Sequence, residues 1–514
     1  MGKERSEIRI VQAMFWSIAA ALLNYAIALV LTPTITENVG TEAYGFVTLA
    51  KSFASYAAIF TVAINSFVSR FVTVSYYHKD VCKANAYFST AFFSNIIIGV
   101  IIILMVCIVI PVIDKLIAIP SYLILDVQIL LGFCAVNFSA NTLFTTFGVS
   151  PIIRNRLDKA NMYKLAGYLT EAVVLVFLFS IGHGHVYYVG IGLILASVVS
   201  GTLNYCFMRR ETPEIVISHQ AFSRSCVIDL VKNGIWNSIN SLGNVLNHGL
   251  DLLVTGAMLS SLAMGQLSIV KTMNAMFSSV FQLVAQPLQP TQLRNYANKN
   301  TDALVKSLKL GMGLSGLLAN LLFAGFAVWG RTYYQLWTPT QDSQLLQRLT
   351  FIAGIGVIIE GAVYPLYYVY TLTLKNRLPC WITIASGVVN VICMVILMKH
   401  FSVGIYAAVV TTTILSWLVN CIFNPIYSAH CLGLPARTFY CSLLRHFISA
   451  FALVCVFSVI NSLFPPMSWI SLISTAILAI ITGSVIHATI VMPKELYALI
   501  LRVFCKGQNS SVKQ

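Results

Sequence analysis

Apolar runs of about twenty residues recur from one end of this chain to the other, and each is long enough to cross a bilayer core. Fourteen are expected, at 11–32, 44–67, 86–110, 119–147, 162–182, 186–207, 231–258, 263–288, 304–329, 349–373, 380–398, 404–427, 443–463 and 468–491. Lipid offers no hydrogen bonds to an open backbone, so each run is expected to be a helix. With 58% of its 514 residues hydrophobic and 10% charged, the chain leaves no room for a separate soluble domain. The first run lacks a small-residue cleavage site and is too long for a signal-peptide core, so it is read as a retained helix.

The positive charges divide by side. Of 32 Lys and Arg, 26 fall at the N-terminus, in the even-numbered loops and in the C-terminal tail. Lys115, Arg331, Arg348 and Lys399 fall on the other side, and Lys51 and Lys271 lie inside apolar runs. Basic loops stay cytoplasmic, so both termini are expected there. The net charge of +15 then reflects topology and anionic lipid rather than nucleic acid, for which no motif is present.

The chain also repeats itself. Shifted by 220 positions, Val11 lands on Val231, Trp16 on Trp236, Leu22 on Leu242, Asn24 on Asn244, Gly45 on Gly265 and Lys51 on Lys271. An even number of helices per repeat keeps both copies in one orientation, so the repeat is parallel. The expected fold is an all-α polytopic membrane protein of about fourteen transmembrane helices, with two parallel-repeat six-helix lobes plus two C-terminal helices. The expected divisions are an N-lobe at 1–207, a cytoplasmic linker at 208–230, a C-lobe at 231–428, and the last two helices with a tail at 429–514. In the linker, Phe222, Val227, Ile228 and Leu230 fit a short amphipathic helix on the membrane surface. Trp329, Trp337 and Trp469 fall where an aromatic belt would sit.

Charges inside apolar runs are costly and mark function by default. Lys51 and Lys271 either snorkel to the interface or face a cavity, and two amines on one cavity suit a phosphate-bearing anion. Lys271, Asn274, Ser278, Gln282 and Gln286 form one helical stripe. Asn237, Asn240, Ser241, Asn244, His248 and Asp251 form another, matched more weakly by Ser17 and Asn24 in the first copy. Such amides either pack helices together or line a wall for a sugar, whose hydroxyls need donor and acceptor together. Glu171, Asp251 and Glu360 are candidates for coupling to a proton or sodium ion, or else are structural acids. Glu360 shares a face with Tyr364, Tyr367 and Thr371; Asp126 lies near the outer end of its run and is read as interfacial.

No nucleophile elbow, Walker A loop, Gly-rich phosphate loop or paired catalytic acids occur. No CxxC or His/Cys metal spacing appears, and His183 and His185 alone do not make a metal site. No catalytic residue, metal or cofactor is expected, and the twelve cysteines are expected to form no structural disulfide.

Several passages resemble a known family. Pro33…Gly40-Thr-Glu-Ala-Tyr-Gly45, Asn65-Ser66-Phe67…Arg70-Phe71, Pro287…Pro290, Leu336-Trp337, Lys375-Asn376 and Gly387…Asn390 look like the corresponding turns of bacterial polysaccharide-transport flippases. The wider superfamily also holds multidrug exporters and the lipid II flippase. The resemblance implies alternating access by two lobes in a bacterial inner membrane, with both termini cytoplasmic. It implies an undecaprenyl-diphosphate-linked oligosaccharide as cargo, membrane lipids and a polysaccharide polymerase as partners, and Lys51 and Lys271 as cations for the diphosphate. A cation-coupled multidrug exporter is the alternative.

Overall fold

The computed structural model describes residues 2–182 and 184–491. Every regular element among them is helical: α1 Gly2–Asn38, α2 Thr41–Tyr77, α3 Val81–Val109, α4 Ile113–Leu116, α5 Ile124–Thr145, α6 Val149–Ile153, α7 Leu157–Ile181, α8 Tyr187–Glu211, α9 Arg224–His248 and α10 Asp251–Met258. There follow α11 Ser261–Ala285, α12 Gln289–Ala297, α13 Thr301–Trp337, α14 Ser343–Val363, α15 Tyr367–Thr373, α16 Arg377–His400, α17 Tyr406–Trp417, α18 Asn424–Cys431, α19 Tyr440–Leu463 and α20 Trp469–Val491. Prolines set the internal breaks. Pro287 opens the 3₁₀ turn Gln286–Leu288 after α11, and Pro365 opens the turn Tyr364–Leu366 between α14 and α15.

Among the described residues, thirteen helical stretches are long and apolar enough to cross a membrane. The expected segment at 231–258 is not one of them. It is helical, but Asn233, Asn237, Asn240, Asn244 and Asn247 make α9 too polar, and the helix breaks at Gly249 before α10 begins. The expected surface helix near 222–230 is also absent. Residues 212–223 form irregular chain with one 3₁₀ turn, tied to α3 through Asn85, Ser89 and Thr90, and Leu230 is buried in the first turns of α9. An amphipathic pattern of nine residues fits the start of a packed helix as well as a floating one.

The chain packs as two compact units. The first takes residues up to Ser268 together with Cys380–Ile405; the second takes Ile269–Pro379 and the chain from Tyr406 onward. This division cuts across the expected boundaries at 207 and 231, because α9 lies along α2 and α16 lies on α9.

In the first unit, helices approach where a side chain is missing. A Cβ on Gly234 would collide with the Ala63 carbonyl of α2, and Ser238 donates to the Ile59 carbonyl at 2.8 Å. Gly190 and Gly201 of α8 admit Phe133 and Phe144 of α5. Small residues and interhelical amides hold membrane helices together in this way, since lipid supplies no hydrophobic drive between them. Asn65 and Asn95 exchange amide bonds at 3.2 and 3.0 Å, joining α2 to α3. Asn247 donates to the Thr383 carbonyl at 2.7 Å and Asn390 to the Asn247 carbonyl at 2.9 Å, docking α16 on α9.

In the second unit, α13 runs through the middle with α14, α19 and α20 against it. Trp329 and Trp337 are buried there, contrary to the expected belt. Trp329 stacks on Phe457 of α19 and donates to Asn461 Oδ1 at 3.0 Å. Only Trp469 of the three remains exposed. The last two helices pack on α13, and α19 also touches α14.

Candidate functional site

The candidate residues of the first unit sit on α1, α2, α7, α9 and α10. On α9 the periodicity sorts them. Gly234 and Ser238 turn into the contact with α2, whereas Asn237, Asn240 and Asn244 are not covered by protein. Asn24 of α1 and Lys51 and Ser55 of α2 are likewise uncovered. Lys51 and Ser55 are four residues apart and share a face of α2.

The break in α9–α10 is tied to a distant tyrosine. The Gly249 and Leu250 amides both donate to the Val245 carbonyl, and the Tyr56 hydroxyl donates to the Gly249 carbonyl. A carbonyl released from the helix ladder thus finds a partner on α2. Asp251 then begins α10, its Oδ1 accepting from the Leu252 amide at 3.0 Å, and it is 8% exposed. Carboxylates are stabilised at helix N-termini, where amides point outward. One turn on, the buried Thr255 hydroxyl has no hydrogen-bond partner. Discontinuous membrane helices are a frequent place for ion and substrate contacts.

Glu171 is buried on α7 against Gly192 of α8, away from the asparagine stripe of α9. Asp126 lies near the end of its span, as expected, in the first turn of α5. It is buried at the start of α5, where His185 Nδ1 meets its carboxylate at 3.0 Å and the Val186 amide donates at 3.3 Å. His183 lies outside the described residues.

The second unit holds two further groups of polar side chains. On α11, Lys271 is half-buried, the Asn274 Oδ1 atom is buried without a partner, and Ser278 Oγ lies 3.5 Å from Glu360 Oε2 of α14. The side chain of Gln282 lies outside the described residues. One helical turn past Glu360 the Pro365 break redirects the chain, and α15 begins with Tyr367. The Tyr367 hydroxyl donates to Asn420 Oδ1 at 2.8 Å, Asn424 Nδ2 donates to the same oxygen at 2.6 Å, and the Tyr370 hydroxyl donates to Asn424 Oδ1 at 2.7 Å. Asn420 sits in a π-helical stretch, Leu418–Phe423, between α17 and α18. Such bulges in a helix are frequent at functional sites. Thr371, expected on the Glu360 face, is exposed and outside this chain of bonds.

The structure therefore brings Ser278 to Glu360 and leaves Glu171 in a separate packing contact. Sequence reading missed Tyr56, Tyr370, Asn420 and Asn424. The last two carried a signal: amides four residues apart inside an apolar run.

It also missed a buried histidine pair. His446 Nε2 donates to the Ile358 carbonyl and His487 Nε2 to the Gly313 carbonyl, each at 3.0 Å. Ser449 donates to His487 Nδ1 at 2.9 Å, and Asn320 donates to the His446 carbonyl at 3.0 Å. These bonds fasten α19 and α20 to α13 and α14.

A model of the family described as polysaccharide biosynthesis protein matches residues 10–294, more than half of the chain. The chain is 26% identical to the uncharacterized membrane protein EpsK of Bacillus subtilis (strain 168) over 494 residues, 96% of this chain and 98% of that protein. Its fold is similar to that of the lipid II flippase MurJ in an inward closed conformation, with a TM-score of 0.67 at 12% identity, covering 94% of this chain and 99% of MurJ. It is also similar to an inward-facing multidrug resistance MATE family transporter of the MOP superfamily, with a TM-score of 0.65 at 13% identity, covering 83% and 98%. At these identities the two structures establish the fold.

Proposed function

The chain belongs to the polysaccharide biosynthesis protein family, and from that premise we propose that it is a flippase for lipid-linked oligosaccharide. The cargo on this reading is an undecaprenyl-diphosphate-linked repeat unit of O-antigen, capsule or exopolysaccharide. It is turned from the cytoplasmic to the outer leaflet of a bacterial inner membrane by alternating access, in a protein whose termini are both cytoplasmic. A polysaccharide polymerase on the outer side is the natural recipient.

The observation that carries this reading is the recurrence of a lysine inside the membrane at repeat-related positions, Lys51 and Lys271. On this reading each amine attracts the diphosphate through charge-assisted contacts worth about 1.5–3 kcal/mol each. Asn24, Asn237, Asn244 and Asn274 supply the mixed donors and acceptors that sugar hydroxyls require. Outward movement of an anionic head group is favoured by a negative interior, by about 2.3 kcal/mol per charge per 100 mV. Asp251 and Glu360, with Glu171 as a third acid, are the groups through which a proton or sodium gradient would reset the cycle.

The multidrug-exporter reading keeps one observation in its favour, a carboxylate beside a serine hydroxyl inside the second unit. Flipping of a fluorescent lipid diphosphate in proteoliposomes separates the two. Wild-type protein is expected to flip it, and a Lys51→Ala, Lys271→Ala variant that inserts normally is expected to fail. Cation-driven drug efflux without flipping would instead favour the exporter.

A further inference from the structure

The second unit carries a groove that none of the candidate site residues lines. It has a volume of 640 Å³ and forms where three turns meet: between α12 and α13, after α15, and after α18. Lys299, Lys375 and His430 line it beside Asn295 and Thr301, and no carboxylate does. The turns terminate the apolar stretches Ser261–Ala297, Thr301–Trp337, Ser343–Thr373 and Tyr406–Cys431. The groove therefore opens at a membrane–water boundary. Its turns belong to the even-numbered loops, the side that holds 26 of the 32 Lys and Arg.

The backbone at this boundary is unusual in two places. Lys299 has φ of 54° and Leu374 has φ of 56°, left-handed values that bulky residues rarely adopt. Helices commonly end in this conformation, but with glycine, which has no Cβ to clash. Here the strained positions keep long side chains. The Lys375 amide donates to the Tyr370 carbonyl at 3.0 Å, and the Tyr427 hydroxyl donates to the Lys375 carbonyl at 3.3 Å. These bonds hold the turn in place, and Leu374 stands 85% exposed immediately before Lys375. A projecting leucine beside two ammonium groups, at the edge of an apolar layer, matches a molecule with an acyl chain and an anionic head.

We propose that this groove binds a lipid-borne phosphate. The ammonium groups of Lys299 and Lys375 meet the phosphate oxygens, His430 and Thr301 add hydrogen bonds, and Leu374 rests among acyl chains. Basic groups at a membrane surface each add to the affinity for anionic lipid, and phosphate accepts their bonds in any orientation. Two sources share this chemistry: an anionic phospholipid of the bilayer and a lipid diphosphate. The inference rests on the membrane location alone, so failure of the flippase reading would leave it standing.

The test uses full-length protein in nanodiscs of phosphatidylcholine doped with phosphatidylglycerol or with undecaprenyl diphosphate, read by native mass spectrometry of retained lipid. Wild type is expected to retain one of these lipids about tenfold better than a Lys299→Gln, Lys375→Gln variant. The lipid that shows the difference identifies the source. Inorganic phosphate is expected not to displace it at equal concentration. Equal retention of both lipids by wild type and variant would overturn the proposal, as would binding of inorganic phosphate without either lipid. Should the double variant fail to insert, Lys375→Gln alone carries the comparison, and Leu374→Gly, which relieves the strain, is expected to lower retention while raising thermal stability.

Discussion

Gly45 and Gly265 lie backbone against backbone: a Cβ on Gly45 would stand 2.9 Å from the Cα and amide nitrogen of Gly265. They are also the two residues that the 220-position repeat superposes. Helices α2 and α11, equivalent in the repeat, thus touch at equivalent positions. Neither glycine is required here for its dihedral freedom. Both are required for the missing side chain, since a Cβ on Gly265 would fall on the Thr41 carbonyl.

Substituting either glycine should therefore break the crossing. Gly265→Ala is expected to cost about 1–3 kcal/mol, the usual cost of overpacking a filled contact. Gly45→Leu is expected to abolish folded protein. Melting followed by fluorescence size-exclusion chromatography reads both. A Gly265→Ala protein that melts with the wild type would mean that α2 and α11 part readily at this point.

Lys51 and Lys271 make a second prediction. Alanine at either position is expected to impair transport without reducing insertion, and arginine is expected to restore it in part, because charge survives while geometry changes. Transport measured in everted vesicles, normalised to inserted protein, decides it. Normal glycan export by the double alanine variant would remove the cationic site from the mechanism.

Much of the fold was legible because lipid imposes a simple rule on backbone polar groups. Thirteen of the fourteen expected spans are long and apolar enough to cross. The exception, at 231–258, was read as one more apolar run although its asparagines make α9 too polar. Its break at Gly249 was not legible, because the group that satisfies the freed carbonyl is Tyr56, 193 positions away. Trp329 was misread for a related reason: an aromatic residue at the end of a span looks the same whether lipid or another helix covers it. Asn420 and Asn424 left a pattern in the sequence, but only the path of α15 after Pro365 gives them Tyr367 and Tyr370 as partners.

The histidine pair predicts how the last two helices are held. Replacing His487 by leucine leaves the Ser449 hydroxyl buried without its acceptor, at about 1–3 kcal/mol, and removes the side-chain bond to the Gly313 carbonyl, which keeps its place in the α13 ladder. The variant is expected to melt lower and to become cleavable in the 432–439 connection. His487→Gln, which keeps one donor and one acceptor, is expected to recover part of the loss. If leucine and glutamine behave alike, the bonds contribute nothing beyond packing.

Sidedness is checked by cysteine labelling. Cysteines introduced at 40 and 465 are expected to react with an impermeant thiol reagent applied outside intact cells. Those at 80, 220 and 510 are expected to react only after permeabilisation. External labelling at 220 would invert the loops that carry the basic residues and with them the positive-inside assignment.

Coupling is the most demanding prediction. A carrier that delivers an anionic head group outward must return its binding site empty, and a cation taken up from outside can drive that return. The carboxylate involved must be shielded enough to make its charge costly, yet linked to polar groups along which a proton or ion is passed. Glu360 meets this description through Ser278, one helix turn before the break that leads to the Tyr367–Asn420–Asn424–Tyr370 chain; Asp251 meets it at the broken end of α10. Glu360→Gln and Asp251→Asn are expected to keep cargo binding and lose the response to an imposed gradient. Asn420→Leu, which severs the chain without touching the acid, is expected to weaken the same response while leaving ungated flipping intact. The measurement is flipping in proteoliposomes with and without a proton or sodium gradient. If Glu360→Gln and Asp251→Asn respond as the wild type does, both acids are structural, and the work of transport comes from the cargo's own charge in the membrane potential.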